Sequence, residues 1–137
     1  MSDDEATPVT IAARYLAALS SGDVEAVLGC VADDFVNEHT SALGSSSQGR
    51  HVYRQRLPGF LAQFDGLHYA LVDTICEPDP GQPADGRVAA RYRLTASVDG
   101  HPIDIPGVML ISVRDGEIVR RTDVWDSLTF LRQTGSG

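Results

Sequence analysis

Arg14 to Phe35 reads RYLAALSSGDVEAVLGCVADDF, and this stretch decides how the rest of the chain is read. Ile11, Tyr15 and Leu19 fall four residues apart with Ala12 and Leu16 beside them, so Val9 to Ser20 carries an apolar stripe at the helical period. Thr7 offers a hydroxyl as cap, and Pro8 suits the first helical position, where a missing N–H is no loss. Gly22 can stop this helix in the left-handed conformation. Asp23 then caps a second helix with Val24, Val27, Leu28 and Val31 as its stripe, and Asp33-Asp34 ends it. So short a connection forces the two helices to turn back on each other.

Beyond this hairpin, Phe35 to His39 reads as a strand with Phe35, Asn37 and His39 on one face. Residues 40–48 are a polar loop. A third helix starts near Arg50, with Val52, Tyr53, Leu57, Phe60, Leu61 and Phe64 at helical spacing; Pro58-Gly59 should kink or split it. The period then changes to two. Leu67 to Glu77, Val88 to Val98, His101 to Val113 and Glu117 to Asp126 read as strands. Asp99-Gly100 and Asp115-Gly116 are hairpin turns, and residues 78–86 (PDPGQPADG) form a loop. Pro102 and Pro106 call for an edge or a bulge. Ser127 to Gln133 reads as one helical turn. Three early helices followed by an antiparallel meander make an α+β fold. Residues 1–6 are expected to be a disordered acidic start, 7–133 one domain and 134–137 a flexible tail.

A chain of 137 residues with 42% apolar and 22% charged residues can bury one core without staples. Its formal net charge of -8 repels phosphate backbones, so nucleic acid is not an expected partner. Cys30 and Cys76 sit in apolar runs with no metal-ligand spacing nearby, so neither a metal nor a cofactor is expected. Met1 to Glu5 is acidic and lacks the apolar stretch of a signal peptide, and no run is long enough for a membrane helix. A cytoplasmic protein without membrane partners is the expectation.

The phrase GDVEAVL followed by ADDF, Gly49 before the third helix, and the closing RDGEIVRRTDVWDSLTFLRQTG (Arg114 to Gly135) together resemble the nuclear transport factor 2-like, or SnoaL-like, superfamily. That superfamily includes ketosteroid isomerases, polyketide cyclases, dehydratases, limonene-type epoxide hydrolases and binding domains without catalysis. The resemblance covers almost the whole chain. It implies a cone-shaped, curved, mixed or antiparallel sheet packed against three N-terminal helices around one pocket. It also implies a homodimer through the outer sheet face, where Ile118 and Val124 are expected.

Chemistry in such a pocket needs polar groups aimed into apolar space. Tyr15 matches the tyrosine that binds the substrate oxyanion in ketosteroid isomerases. His39 stands where those enzymes carry an aspartate base, and an imidazole can act as base near neutral pH. Their second oxyanion acid is replaced by Val108 or Met109. Asp123 matches an aspartate of the epoxide hydrolases, whose other charged partners are not reproduced; it could orient His39, act as base itself, or pair with Arg121 or Arg93. Asn37 is read as orienting the substrate. Phe35, Phe60, Tyr92, Met109 and Trp125 are read as contacts for a small, flat, apolar ligand. The expected function is acid/base chemistry on a small carbonyl, polyketide or steroid-like compound, by isomerisation, cyclisation or dehydration. A ligand-binding or dimerisation domain and an epoxide hydrolase are the alternatives.

Overall fold

The computed structural model describes residues 7–41 and 43–135; the acidic start and the last two residues of the expected tail lie outside them. In chain order the elements are α1 (Pro8–Ser21), α2 (Val24–Leu28), β1 (Val31–His39), β2 (Ser47–Gln48), α3 (Arg50–Gln63), β3 (Asp65–Asp79), β4 (Gln82–Val98), β5 (His101–Arg114), β6 (Glu117–Trp125) and α4 (Ser127–Gln133). The strands form one curved, unclosed sheet in the order β2-β1-β6-β5-β4-β3. Every neighbouring pair is antiparallel except β1 and β6, which run parallel.

The helical hairpin forms for local reasons. Thr7 Oγ1 accepts the Thr10 amide at 3.2 Å, Gly22 takes φ 73°, and Asp23 accepts the Ala26 amide at 3.2 Å. Ile11, Leu16 and Leu19 of α1 and Val27 and Leu28 of α2 are buried in one core with Val88, Ala90, Met109, Ile111 and Ile118 of the sheet. The second helix ends earlier than its stripe implies. Gly29 caps it, and Val31 already belongs to β1. Asp33 and Asp34 lie exposed inside β1, where the pairing with β6 skips from Val31 to Val36. They mark a bulge rather than a helix end.

Helix α3 runs through Pro58 as one element, without the expected split. Residues 78–86 do not form the expected loop either. The ladder continues to Asp79 and Gln82, so that Pro80 and Gly81 are the turn. The β4–β5 register runs unbroken through Pro102 and Pro106. Both prolines fall on residues 101–106, which have no partner on the β6 side, because β5–β6 pairing starts at Gly107. A proline that lacks an N–H costs little on such an edge. Gln133 of α4 covers this edge, accepting the Asp104 amide at 2.8 Å and donating to its carbonyl at 3.1 Å.

Two irregularities decide which side chains face inward. In β3 the pairing with β4 slips between Leu71 and Asp73, so Leu67 and Tyr69 are buried before the slip, while Ile75 after it is 77% exposed. In β6 the pairing with β5 slips between Ser112 and Val113, so Ile118 and Arg121 both point inward although three residues apart. Ile118 was expected on the outer face; it is fully buried instead, and this bulge is the reason. Val124 is on the outer face, 45% exposed.

Candidate functional site

The β6 bulge carries Arg121, Asp123 and Trp125 to the concave face. The parallel register then sets Asn37 beside Arg121 and His39 beside Asp123. Neighbouring strands in register point paired side chains to the same side. A small grid of polar groups results, on the floor of a cavity of about 340 Å³. Leu57, Phe60, Phe64, Leu94, Ile105, Trp125 and Phe130 make most of its apolar wall. Phe60, Phe64, Phe130 and Trp125 follow one another as an aromatic arc, with centroid separations of 4.9, 6.4 and 5.8 Å.

An ion pair organises the floor. Arg121 donates to Asp123 Oδ2 at 2.8 Å, with both side chains almost wholly buried. Tyr92 donates to the other carboxylate oxygen at 2.6 Å. A second Arg121 nitrogen donates to the Tyr15 hydroxyl at 2.9 Å, and that hydroxyl lies 2.6 Å from the hydroxyl of Tyr53. Tyr69, on the cavity wall, shares the field of Arg121 and Asp123. All four tyrosines of the chain therefore converge on one arginine and one aspartate. Burial alone would lower Arg121, yet Tyr15, Asp123 and the other tyrosines hold it well above its ordinary value, so it stays charged. Burial pushes Tyr53, Tyr69 and Tyr92 upward, so all three keep their protons.

His39 lies at the edge of this network. Its pKa is pulled below 6.5, first by burial and then by the Arg121 charge, with Asp123 opposing. The ring is therefore neutral near pH 7. Its Nδ1 is enclosed without a hydrogen bond, 3.8 Å from Asp123 Oδ2, a separation that is not an ion pair while the ring is neutral. The side chain is 15% exposed, and that exposure falls on atoms other than Nδ1. Gly44 presses on it so closely that any added Cβ would collide with the His39 side chain. Gly107 opens the floor in the same way. A Cβ there would occupy the place of the Tyr92 hydroxyl, so this glycine lets Tyr92 reach Asp123.

His39, Asp123, Asn37, Phe60, Tyr92 and Trp125 all line the cavity. Tyr15 does not; it is fully buried one layer behind, against Tyr53 and Arg121. Phe35 and Met109 were also read as ligand contacts, and neither reaches the cavity. Phe35 is buried behind Tyr53 at a ring separation of 5.0 Å, and Met109 lies in the core. Three groups on the floor escaped the sequence reading. Tyr53 and Tyr69 looked like ordinary stripe residues, and Arg121 was read only as a salt-bridge partner. The signal for Arg121 was its place two residues before Asp123, which puts both on one face of the strand. Among the described residues, no group of His, Cys, Asp and Glu could hold a metal ion. Among the described residues, no helix is long and apolar enough to cross a membrane.

Residues 12–121 match the model of the SnoaL-like domain. Several solved structures share the fold. One is a protein with a ketosteroid isomerase-like fold from Catenulispora acidiphila, in complex with trimethylamine. It is 20% identical over 96% of this chain and 95% of that one, with a TM-score of 0.81. A proposed polyketide cyclase from Xanthomonas campestris is 21% identical over 92% and 95%, with a TM-score of 0.72. A proposed isomerase from Bacillus subtilis is 18% identical over 95% and 94%, with a TM-score of 0.77. At such identities the likeness speaks for fold alone. No curated protein matches the chain.

Proposed function

The chain belongs to the SnoaL-like domain family, and we propose that its cavity performs cofactor-independent acid/base chemistry on a small, apolar carbonyl compound of polyketide or steroid type. The observation that carries this reading is a neutral histidine on the wall of a largely apolar cavity, beside a buried arginine and aspartate bonded to each other. In the reaction His39 takes a proton from the carbon next to the carbonyl. The C–H electrons form the enolate, whose oxygen is held by a hydroxyl donor of the floor. The proton returns to a different carbon in an isomerisation. In a dehydration it leaves with a departing hydroxyl. Asp123 stabilises the imidazolium while it exists, and Asn37 orients the substrate. The aromatic arc holds its flat body.

The epoxide-hydrolase reading is less well supported. Both oxygens of Asp123 already accept strong hydrogen bonds, from Tyr92 and Arg121, so a water would have to compete with these partners for the lone pairs that remain. The test of the preferred reading is His39→Ala against a panel of cyclic ketones and polyketide-like 1,3-dicarbonyls. Turnover should vanish while the melting temperature hardly moves. A variant that turns over like the parent removes His39 as base. A parent that binds such compounds without turnover leaves a ligand-binding domain.

We also propose a second copy of the chain as partner, seated on the outer sheet face. Ile75, Leu110 and Val124 are exposed there on β3, β5 and β6. The ion pairs Arg91–Asp73, Arg93–Asp104 and Arg120–Glu38 surround them. An apolar centre with a rim carrying both signs can meet its own copy across a two-fold axis.

A further inference from the structure

We infer that Tyr53, on α3, presents the hydroxyl that binds the ligand's oxygen, and that Tyr15 is a positioning residue behind it, relaying the pull of Arg121. The hydrogen-bond inventory carries the argument. A tyrosine hydroxyl has one proton to donate and can accept two. Arg121 has no lone pair to offer, so Tyr15 is the acceptor in their contact. The Tyr15 proton then has one acceptor within reach, the Tyr53 oxygen at 2.6 Å. Were the Tyr53 proton given to Tyr15 instead, the Tyr15 proton would be stranded in a fully buried place, a costly arrangement that native interiors avoid. Chain order is therefore Arg121 to Tyr15 to Tyr53, and the Tyr53 proton is left without a partner.

Tyr53 lines the cavity and Tyr15 does not, so that last proton is available to a ligand. Each donor in such a chain polarises the next, and here the chain starts at a full positive charge. Burial pushes the Tyr53 hydroxyl upward, which keeps its proton in place until an acceptor arrives. The ligand must therefore bring an acceptor oxygen, a carbonyl or an oxyanion, to a point beside the α3 tyrosine. This inference gives the acid/base reading its oxyanion donor; as a statement about binding it stands apart from whether any reaction follows.

The probe is 2-naphthol, a flat phenol sized for the aromatic wall, titrated by fluorescence against the parent protein, Tyr53→Phe and Tyr15→Phe. Thermal unfolding of each variant checks that it folds. Tyr53→Phe should weaken binding about tenfold or more, the loss of a strong hydrogen bond. Tyr15→Phe should weaken it less, and should move the Tyr53 resonance of tyrosine-Cζ-labelled, ligand-free protein, which a merely structural role would leave alone. Should Tyr53→Phe fail to fold, the labelled parent decides: naphthol should move the Tyr53 resonance more than that of Tyr15. Equal affinity in Tyr53→Phe and parent, a larger loss in Tyr15→Phe, or no binding of naphthol to the parent overturns the inference. A parent that binds naphthol through Tyr53 yet turns over no carbonyl compound defeats the acid/base reading alone. Ketone turnover that disappears in His39→Ala and persists unchanged in Tyr53→Phe defeats this inference alone.

Discussion

Nδ1 of His39 stands 3.8 Å from Oδ2 of Asp123, in register across the parallel β1–β6 pair, and no hydrogen bond spans the gap. A hydrogen bond would need about 3.2 Å or less. The carboxylate is already committed to Arg121 and Tyr92, so it has little reason to reach further. Under the proposed acid/base reading, a neutral ring beside a committed carboxylate is the resting state of a base whose conjugate acid is stabilised on demand.

The depressed pKa of His39 fixes the sign of two pH effects. For activity, the neutral ring is the competent form, so kcat/KM should rise along a limb with its midpoint below 6.5 and level off above it. For stability, the folded state binds this proton less readily than the unfolded chain. Its contribution is present above 6.5 and is lost as pH falls through the folded value. His39→Gln should therefore lose less stability than the parent between about pH 8 and pH 5, measured by urea unfolding. An equal loss in both proteins would mean that His39 titrates normally.

The Arg121–Asp123 pair should behave as a buried charge pair. Asp123→Leu leaves Arg121 charged and partly unpaired in a dry place, so unfolding free energy should fall by about 3–5 kcal/mol. Combining it with Arg121→Met removes both charges and should restore most of that loss, because two apolar groups of similar size carry no desolvation cost. Activity should not return in the double variant. A loss of less than about 1 kcal/mol in Asp123→Leu would show the pair behaving like an exposed one.

How far the sequence could be read depended on the kind of signal. Caps and turns are local, so Thr7, Gly22, Asp23 and the two Asp-Gly turns were legible and the element order followed. Bulges are not local. Nothing in Glu117 to Trp125 announces the slip that turns both Ile118 and Arg121 inward, because it arises from pairing with β5. The same limit applies to depth. Helical periodicity puts Tyr15 and Tyr53 on inward stripes, but only packing shows that Tyr53 stands in front. Phe35 and Met109 have the same reason for missing the cavity: a strand residue can face the cavity side and still sit under another side chain.

Gly107 tests whether the Tyr92–Asp123 bond is built into the backbone. Gly107→Ala places a methyl where the end of the buried Tyr92 ring lies. Overpacking of this kind should cost about 1–3 kcal/mol. Shortening the ring in Tyr92→Leu removes the collision, so the double variant should be less destabilised than the two single effects added. Additive effects would mean that the methyl finds room without moving Tyr92.

The outer face supplies the last prediction. Leu110 lies between Ala89 and Thr122, with Val108 and Val124 in the next row and Ile75 beyond Ala89, so it is central to the exposed apolar surface. Leu110→Arg puts a charge there that cannot be paired across a two-fold axis with its own copy. In sedimentation equilibrium the parent should run at twice the 14.7 kDa of one chain and the variant at that single mass. The parent's melting temperature should rise with concentration, since assembly stabilises the folded state by mass action, and the variant's should not. The variant should still fold, because Leu110 is 48% exposed and takes no part in the buried core. A parent that remains a single chain at every concentration means that no second copy sits on this face.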